Sequence, residues 1–232
     1  MTATIQTAKL VGPGVDRVDG PDKVTGAARY PSDFDLPNLA HAALVRSTIA
    51  AGTISGIATG AAEAAPGVLV VLTHQNAPKL HKARASLMTL TPPPGPPLQT
   101  AAIDHYGQYV AVVVAETPQQ ASAAAGLVEV NYDPGEALLS AEDPGAKPKS
   151  NPYHLDMHRG DVDAALAAAE VTVEATYTTS RQAHNPIGLF ATVAYWQDGR
   201  LTVHDSTQNP FHVREVLAAS FGLHEHDIRV LI

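Results

Sequence analysis

The sequence predicts an α+β protein in two parts. Three features carry that prediction: a strand–helix–strand unit over residues 109–132, a connector rich in Pro, Gly and Asp over 133–150, and a hairpin, helix and strand over 191–232. Residues 16–30 hold Asp19-Gly20-Pro21 and Thr25-Gly26 as turn signals and read as an irregular entry segment. Short apolar runs at 41–47 and 53–58 read as two strands. Thr59 is placed to cap a brief helix that Pro66-Gly67 ends, and the β-branched run at 68–72 reads as a buried strand. The run at 92–97 has five prolines in six residues, which lack amide donors and fix φ, so it reads as an exposed loop.

Residues 109–115 form the next expected strand, and Thr117-Pro118 supplies the cap and first turn of an alanine-rich helix over 119–127. A strand over 128–132 follows; the spacing suits a compact unit with both strands in one sheet. The connector contains Asp133-Pro134 and Asp143-Pro144, and the boundary between the two parts falls there. Beyond it, Asp161 caps a short helix. Val171, Val173, Ala175 and Tyr177 alternate on what reads as a half-buried strand over 171–179. Asp198-Gly199 marks a hairpin between strands at 191–196 and 201–205. Asn209 and Pro210 open a helix with Val213, Val216, Leu217 and Phe221 as its apolar stripe, Gly222 stops it, and residues 227–232 return as a strand. That strand ends at Ile232 with no turn or cap, an arrangement expected where structure continues in another polypeptide or where the chain is a fragment.

Composition narrows the function. With 15 Lys+Arg against 23 Asp+Glu the formal charge is −8, which disfavours a nucleic-acid or anionic-membrane surface. No cysteine is present, so a disulfide framework, a thiolate nucleophile and a cysteine-held zinc or iron–sulfur cluster are excluded from this polypeptide. The longest apolar run, 110–115, falls far short of the roughly 20 residues of a membrane helix, and residues 1–10 carry no signal-like apolar stretch. A cytoplasmic location is therefore the expectation, with export on a signal-bearing partner as the other route.

Among candidate sites, His224 and His226 flank Glu225 and could share a strand face toward one ion, but a third ligand is missing and the segment reads as a solvated turn. Val11-Gly12-Pro13-Gly14 has a proline where a phosphate loop needs close backbone approach, and Ser206 does not sit on a strand-to-helix elbow. Two segments remain, His184-Asn185-Pro186 and Ser206-Thr207-Gln208-Asn209-Pro210. In the second, the Gln208 amide beside unpaired helix N–H groups suits an anionic oxygen ligand. Spacing alone favours Thr207 and Asn209 as plain caps with Gln208 turned to water.

An ordered series of segments resolves the choice. Arg17-Val18-Asp19-Gly20-Pro21-Asp22-Lys23-Val24-Thr25-Gly26-Ala27-Ala28-Arg29-Tyr30, Val45-Arg46-Ser47-Thr48, Ala64-Ala65-Pro66-Gly67-Val68, Gly107-Gln108 before the 110–115 run, Arg159-Gly160-Asp161-Val162, His184-Asn185-Pro186 and Asp205-Ser206-Thr207-Gln208 occur in this order. Over residues 11–232 the chain thereby resembles the N-terminal portion of the molybdopterin-binding large subunit of the xanthine dehydrogenase and aldehyde oxidase family, with the bacterial aldehyde-oxidising branch nearest.

The resemblance implies a leader at 1–16, an α/β hammerhead domain at 17–133, a linker at 134–150 and the incomplete start of a molybdopterin-binding domain at 151–232. It implies that Gln208 lies beside the molybdenum and hydrogen-bonds an oxygen ligand of the metal, with His184, Asn185 and Thr207 near the cofactor or the substrate channel. No catalytic residue and no direct metal ligand is expected in this chain. In the family, a molybdenum-bound hydroxide attacks an aldehyde or N-heterocycle, hydride passes to a sulfido ligand, and a glutamate acts as base. Electrons leave through iron–sulfur clusters, here expected on a cysteine-containing partner subunit, and usually FAD, expected on a further one.

Departures accompany the matches. The Gly-Gly-Phe-Gly segment expected after Ile232 and the catalytic glutamate both lie outside the chain, which is therefore expected to be inactive alone and to share its molybdenum–molybdopterin with a chain carrying the rest of the domain. Where relatives commonly read His-Asn-Pro-Met-Glu, this sequence has Ile187-Gly188 after Pro186. The other reading is a non-catalytic scaffold or assembly protein with a degenerate hammerhead domain. A third, a histidine-dependent metalloprotein, is tested by elemental analysis for zinc, nickel and iron.

Overall fold

The computed structural model describes residues 14–83, 95–147, 159–180, 182–188 and 190–232. Residues 1–13 of the expected leader, 92–94 of the proline run, the end of the linker and residues 151–158 lie outside them. The first part has nine elements: α1 (Gly20–Thr25), β1 (His41–Arg46), β2 (Gly52–Ala58), α2 (Gly60–Glu63), β3 (Val68–Thr73), β4 (Ala102–Ile103), β5 (Tyr109–Ala115), α3 (Pro118–Ala125) and β6 (Glu129–Pro134). The second has α4 (Val162–Ala167), β7 (Thr192–Gln197), β8 (Arg200–Asp205), α5 (Pro210–Phe221) and β9 (Ile228–Leu231), with single 3-10 turns at Pro31–Asp33 and Glu225–Asp227.

Two antiparallel sheets build the first part, ordered β1-β5-β3 and β4-β2-β6. β5 is buried on both faces. Val113 packs with Ala62, Val71 and Ala124, under α2 and α3, while Val110 packs with Ile54 and Ile103 of the other sheet. Small side chains on α3, with Ala121 and Ala124 about 1 % exposed, let the helix lie close to the sheet. Thr117 caps α3 as expected, accepting the Gln120 N–H at 3.2 Å.

Several expectations are corrected here. β5 and β6 do not share a sheet, because both edges of β5 are already taken by β1 and β3, so β6 pairs with β2. The entry segment is not wholly irregular: Pro21 starts α1, and Gly26, at φ 76°, ends it in a left-handed cap. Thr59 does not cap α2; its hydroxyl bonds the Glu63 carboxylate at 2.7 Å. β3 is only half-buried, since Leu69 and Val70 face outward. Residues 171–179 form no strand among the described residues; Val171, Val173 and Tyr177 are exposed, and a strand is stable only where a neighbour pairs with it.

In the second part, β7 and β8 form the expected hairpin, with Asp198 and Gly199 both at positive φ as a type I′ turn requires. α5 then crosses over to place β9 parallel to β8. Leu201, Val203, Ala218 and Ile228 make the core beneath it. Phe221, expected in the apolar stripe, is exposed, and Ala218 is the buried residue of the helix. The two parts touch: the His81 N–H donates to the Ser220 carbonyl at 3.0 Å, and Phe34 stacks on His204.

One glycine is obligatory. Gly52 sits at φ 140°, and a Cβ there would press on the Asp133 carbonyl oxygen and lie 2.9 Å from the Gly135 nitrogen. Gly52→Ala is expected to destabilise by about 1–3 kcal/mol, the range for a residue forced into a strained backbone region. Gly56→Ala, whose Cβ would meet only the Asn131 side chain at 3.6 Å, is expected to shift stability by about 0.5 kcal/mol or less. Urea unfolding of the two variants checks the contrast.

Candidate functional site

β8 ends at Asp205, and the next three residues form a rim held from both sides. The Thr192 hydroxyl donates to the Asp205 carboxylate, and Ser206 bonds Ala191 through its backbone N–H and its hydroxyl, each at 3.3 Å. Thr207 Oγ1 accepts the Asn209 N–H at 3.1 Å, and Asn209 Oδ1 accepts the His212 N–H at 3.1 Å. The His212 and Val213 amides of the first helical turn are therefore used internally, both by Asn209. Gln208 is exposed, and among the described residues its side chain has no hydrogen-bond partner. Of the two arrangements that spacing allowed, the structure combines them: Thr207 and Asn209 secure the turn, and the free amide of Gln208 is the polar group on offer.

Gln208 opens onto a cavity of about 630 Å³. Asp205, Ser206, Thr207 and Gln208 form its polar side; Pro186, Gly188, Phe190 and Ile232 form an apolar side; Tyr30 and Pro31 close it from the first part of the chain. His184 and Asn185 are exposed and do not line it, although Pro186 next to them does. Gly188 has open space around the position of an added Cβ, so the missing side chain leaves room on that wall. Tyr30, Pro31, Phe190 and Ile232 were not singled out from sequence. Tyr30 closes the first of the family-like segments, and that was the available signal.

The metal reading of His224 and His226 finds no support among the described residues, where no group of three or more ligating side chains gathers. Their rings stack 5.3 Å apart beside a 3-10 turn rather than on a strand, and His226 lies 3.2 Å from Asp227. Among the described residues no helix is long and apolar enough to cross a membrane.

A polar rim bearing an amide with no hydrogen-bond partner among the described residues lies on a strand-to-helix corner over an open cavity. Comparison with known proteins specifies the class. Residues 25–136 match the model of the aldehyde oxidase and xanthine dehydrogenase a/b hammerhead domain, and residues 145–232 match the molybdopterin cofactor-binding domain. The aldehyde oxidoreductase molybdenum-binding subunit PaoC of Escherichia coli (strain K12) is 37% identical over 230 residues, covering 98% of this chain and 30% of that protein. The nicotinate dehydrogenase large molybdopterin subunit of Eubacterium barkeri is 30% identical, over 96% of this chain and 53% of its own length. Quinoline 2-oxidoreductase from Pseudomonas putida 86 superposes with a TM-score of 0.79 at 26% identity, covering 93% of this chain and 29% of that one.

The chain belongs to the aldehyde oxidase and xanthine dehydrogenase family of molybdopterin-binding subunits. It spans about a third to a half of the length of the curated relatives it matches.

The rim depends on its cap. Asn209→Ala is expected to cost about 1 kcal/mol, as loss of a helix N-cap does, while Asn209→Asp should retain most of the stability. Thermal unfolding followed by circular dichroism checks both.

Proposed function

We propose that this chain forms part of a molybdenum hydroxylase that oxidises aldehydes or N-heterocycles, with Gln208 as its contribution to the cofactor site. The observation that carries this is the unpartnered Gln208 side chain on the rim of an open cavity, within the segment that matches the molybdopterin cofactor-binding domain. The donor set fits the group: a neutral amide can donate to a metal-bound oxygen without neutralising it, and the cavity is large and open enough to admit a ligand. When bound, molybdenum–molybdopterin supplies hydroxylation with water as the source of oxygen.

The chain's own residues orient and enclose. Gln208 holds an oxygen ligand by its N–H, Thr207 and Asn209 fix the backbone that presents Gln208, and Pro186, Gly188 and Phe190 form an apolar wall for substrate. Gly188 widens that wall where relatives commonly carry a carboxylate. His184 and Asn185 act behind the wall, by setting the approach to Pro186. The working divisions are a leader at 1–16, the hammerhead domain at 17–133, a linker at 134–150 and the start of the cofactor domain at 151–232.

The partners in this reading are a chain carrying the rest of the molybdopterin domain, a 2Fe-2S subunit and an FAD subunit, assembled in the cytoplasm. No cysteine occurs in these 232 residues, so no iron–sulfur cluster is ligated by a thiolate from this stretch.

Purification from the native host, with molybdenum determined by mass spectrometry, is expected to recover the metal together with those partners. A metal-free chain with no such partner would overturn the reading. In the assembled enzyme, Gln208→Ala removes one hydrogen bond to a charged group, about 1.5–3 kcal/mol. Turnover should therefore fall by roughly ten- to a hundredfold, with the molybdenum content retained. Unchanged turnover would exclude the role given to Gln208.

A further inference from the structure

His204 lies on β8, immediately before the rim. Its ring is 7 % exposed and stacks on Phe34 with centroids 3.7 Å apart and planes 24° apart; Tyr195 of β7 lies further out at 6.3 Å. Phe34 belongs to a tied unit. The Arg29 guanidinium sits 4.4 Å from the Phe34 centroid and donates to the Asp33 carbonyl at 2.9 Å, while the Tyr30 N–H donates to the Asp33 carboxylate at 2.8 Å. Tyr30 and Pro31 of this unit line the same cavity as Gln208.

We propose that His204 is a positioning residue: by stacking on Phe34 it clamps residues 29–34 against the second part of the chain and so fixes Tyr30 and Pro31 as a wall of the Gln208 cavity. The clamp itself concerns only side chains of this chain. Its consequence for turnover rests on the cofactor reading of Gln208.

The surroundings keep the ring neutral. Burial lowers the His204 pKa from its ordinary 6.5, and Arg229 and Arg29 lower it further. Tyr195 on β7 is the titratable side chain in ring contact with it, while Asp33 and Asp205 adjoin Phe34 and His204 along the chain, Asp33 accepting the Tyr30 N–H and Asp205 the Thr192 hydroxyl. A folded-state pKa below the unfolded value means that the folded chain takes up a proton less readily. The stabilisation is therefore full above about pH 6.5 and is lost as pH falls from there through the lowered folded value. Protonation would add a third positive charge beside the two arginines in a buried place.

Hydrogen–deuterium exchange of the full chain without cofactor tests the clamp, reading residues 29–34 and β7–β9 separately. His204→Ala and Phe34→Ala are expected to raise exchange at 29–34 about three- to tenfold, the scale of one lost aromatic stack. His204→Phe, which keeps a stacking ring, should preserve protection. It should also abolish the extra loosening of 29–34 that the parent chain shows below pH 6.5 once intrinsic rates are corrected. Unchanged exchange at 29–34 in His204→Ala would overturn the proposal, as would a rise spread evenly over β7–β9, which would assign His204 to the sheet core alone. In the assembled enzyme, His204→Ala should change KM more than kcat. If exchange responds as expected while Gln208→Ala leaves turnover untouched, the clamp stands and the cofactor reading falls.

Discussion

The second part of the molecule depends on β8 being held along both edges and buried on its core face. Its two edges pair with β7 and β9, its Leu201 and Val203 face the core beneath α5, and its His204 faces Phe34 from the first part of the chain. A strand so constrained cannot slip by one residue without turning Leu201 and Val203 out of the core. That is why Asp205 always ends the strand where it does, and why the three residues after it form a defined rim rather than a loose loop. The hydrogen bonds of Ser206 to Ala191, and of Thr207 and Asn209 to the following amides, complete a corner in which the Gln208 side chain has no hydrogen-bond partner among the described residues.

β5 plays the matching part in the first half. It carries helices on one face and a second sheet on the other, so the hammerhead core is two thin layers sharing one strand. Alanines on α2 and α3 make close approach possible, and Gly52 allows the β2–β6 pairing to turn tightly against residues 133–135. The packing leaves a scaffold whose entry segment is free to reach across to β8. The consequence is that Tyr30 and Pro31, far before Gln208 in sequence, line the same cavity.

The cavity joins chemistry from three stretches of chain: Tyr30 and Pro31; Pro186, Gly188 and Phe190; and residues 205–208, together with Ile232. One side is polar and presents a neutral donor; the other is apolar and opened by Gly188. An amide donor suits a metal oxygen because it orients the ligand without altering its charge, whereas a lysine or arginine there would compete with the chemistry of the bound oxygen. The matching of residues 145–232 to a molybdopterin cofactor-binding domain gives this geometry its meaning.

Much of this was legible in the sequence, because the relevant signals are local. Turn and cap chemistry needs only neighbouring residues: Asp198-Gly199 for the hairpin, Thr117, Asp161 and Asn209 for helix starts, Gly222 for a helix stop. The ordered segments from Arg17 to Gln208 were enough to indicate the family. Pairing and burial were not legible, since they are decided by which edges and faces remain open once other strands have docked. Hence β6 left the sheet of β5, the alternating residues 171–179 found no partner among the described residues, and Phe221 stayed outside while Ala218 went in. The amide of Gln208 could be proposed from its motif, but its freedom to bind depends on Asn209 having taken the helix N–H of His212. The closing of the cavity by Tyr30, through Phe34 and His204, exists only in three dimensions, because no periodicity or spacing relates residues so far apart along the chain.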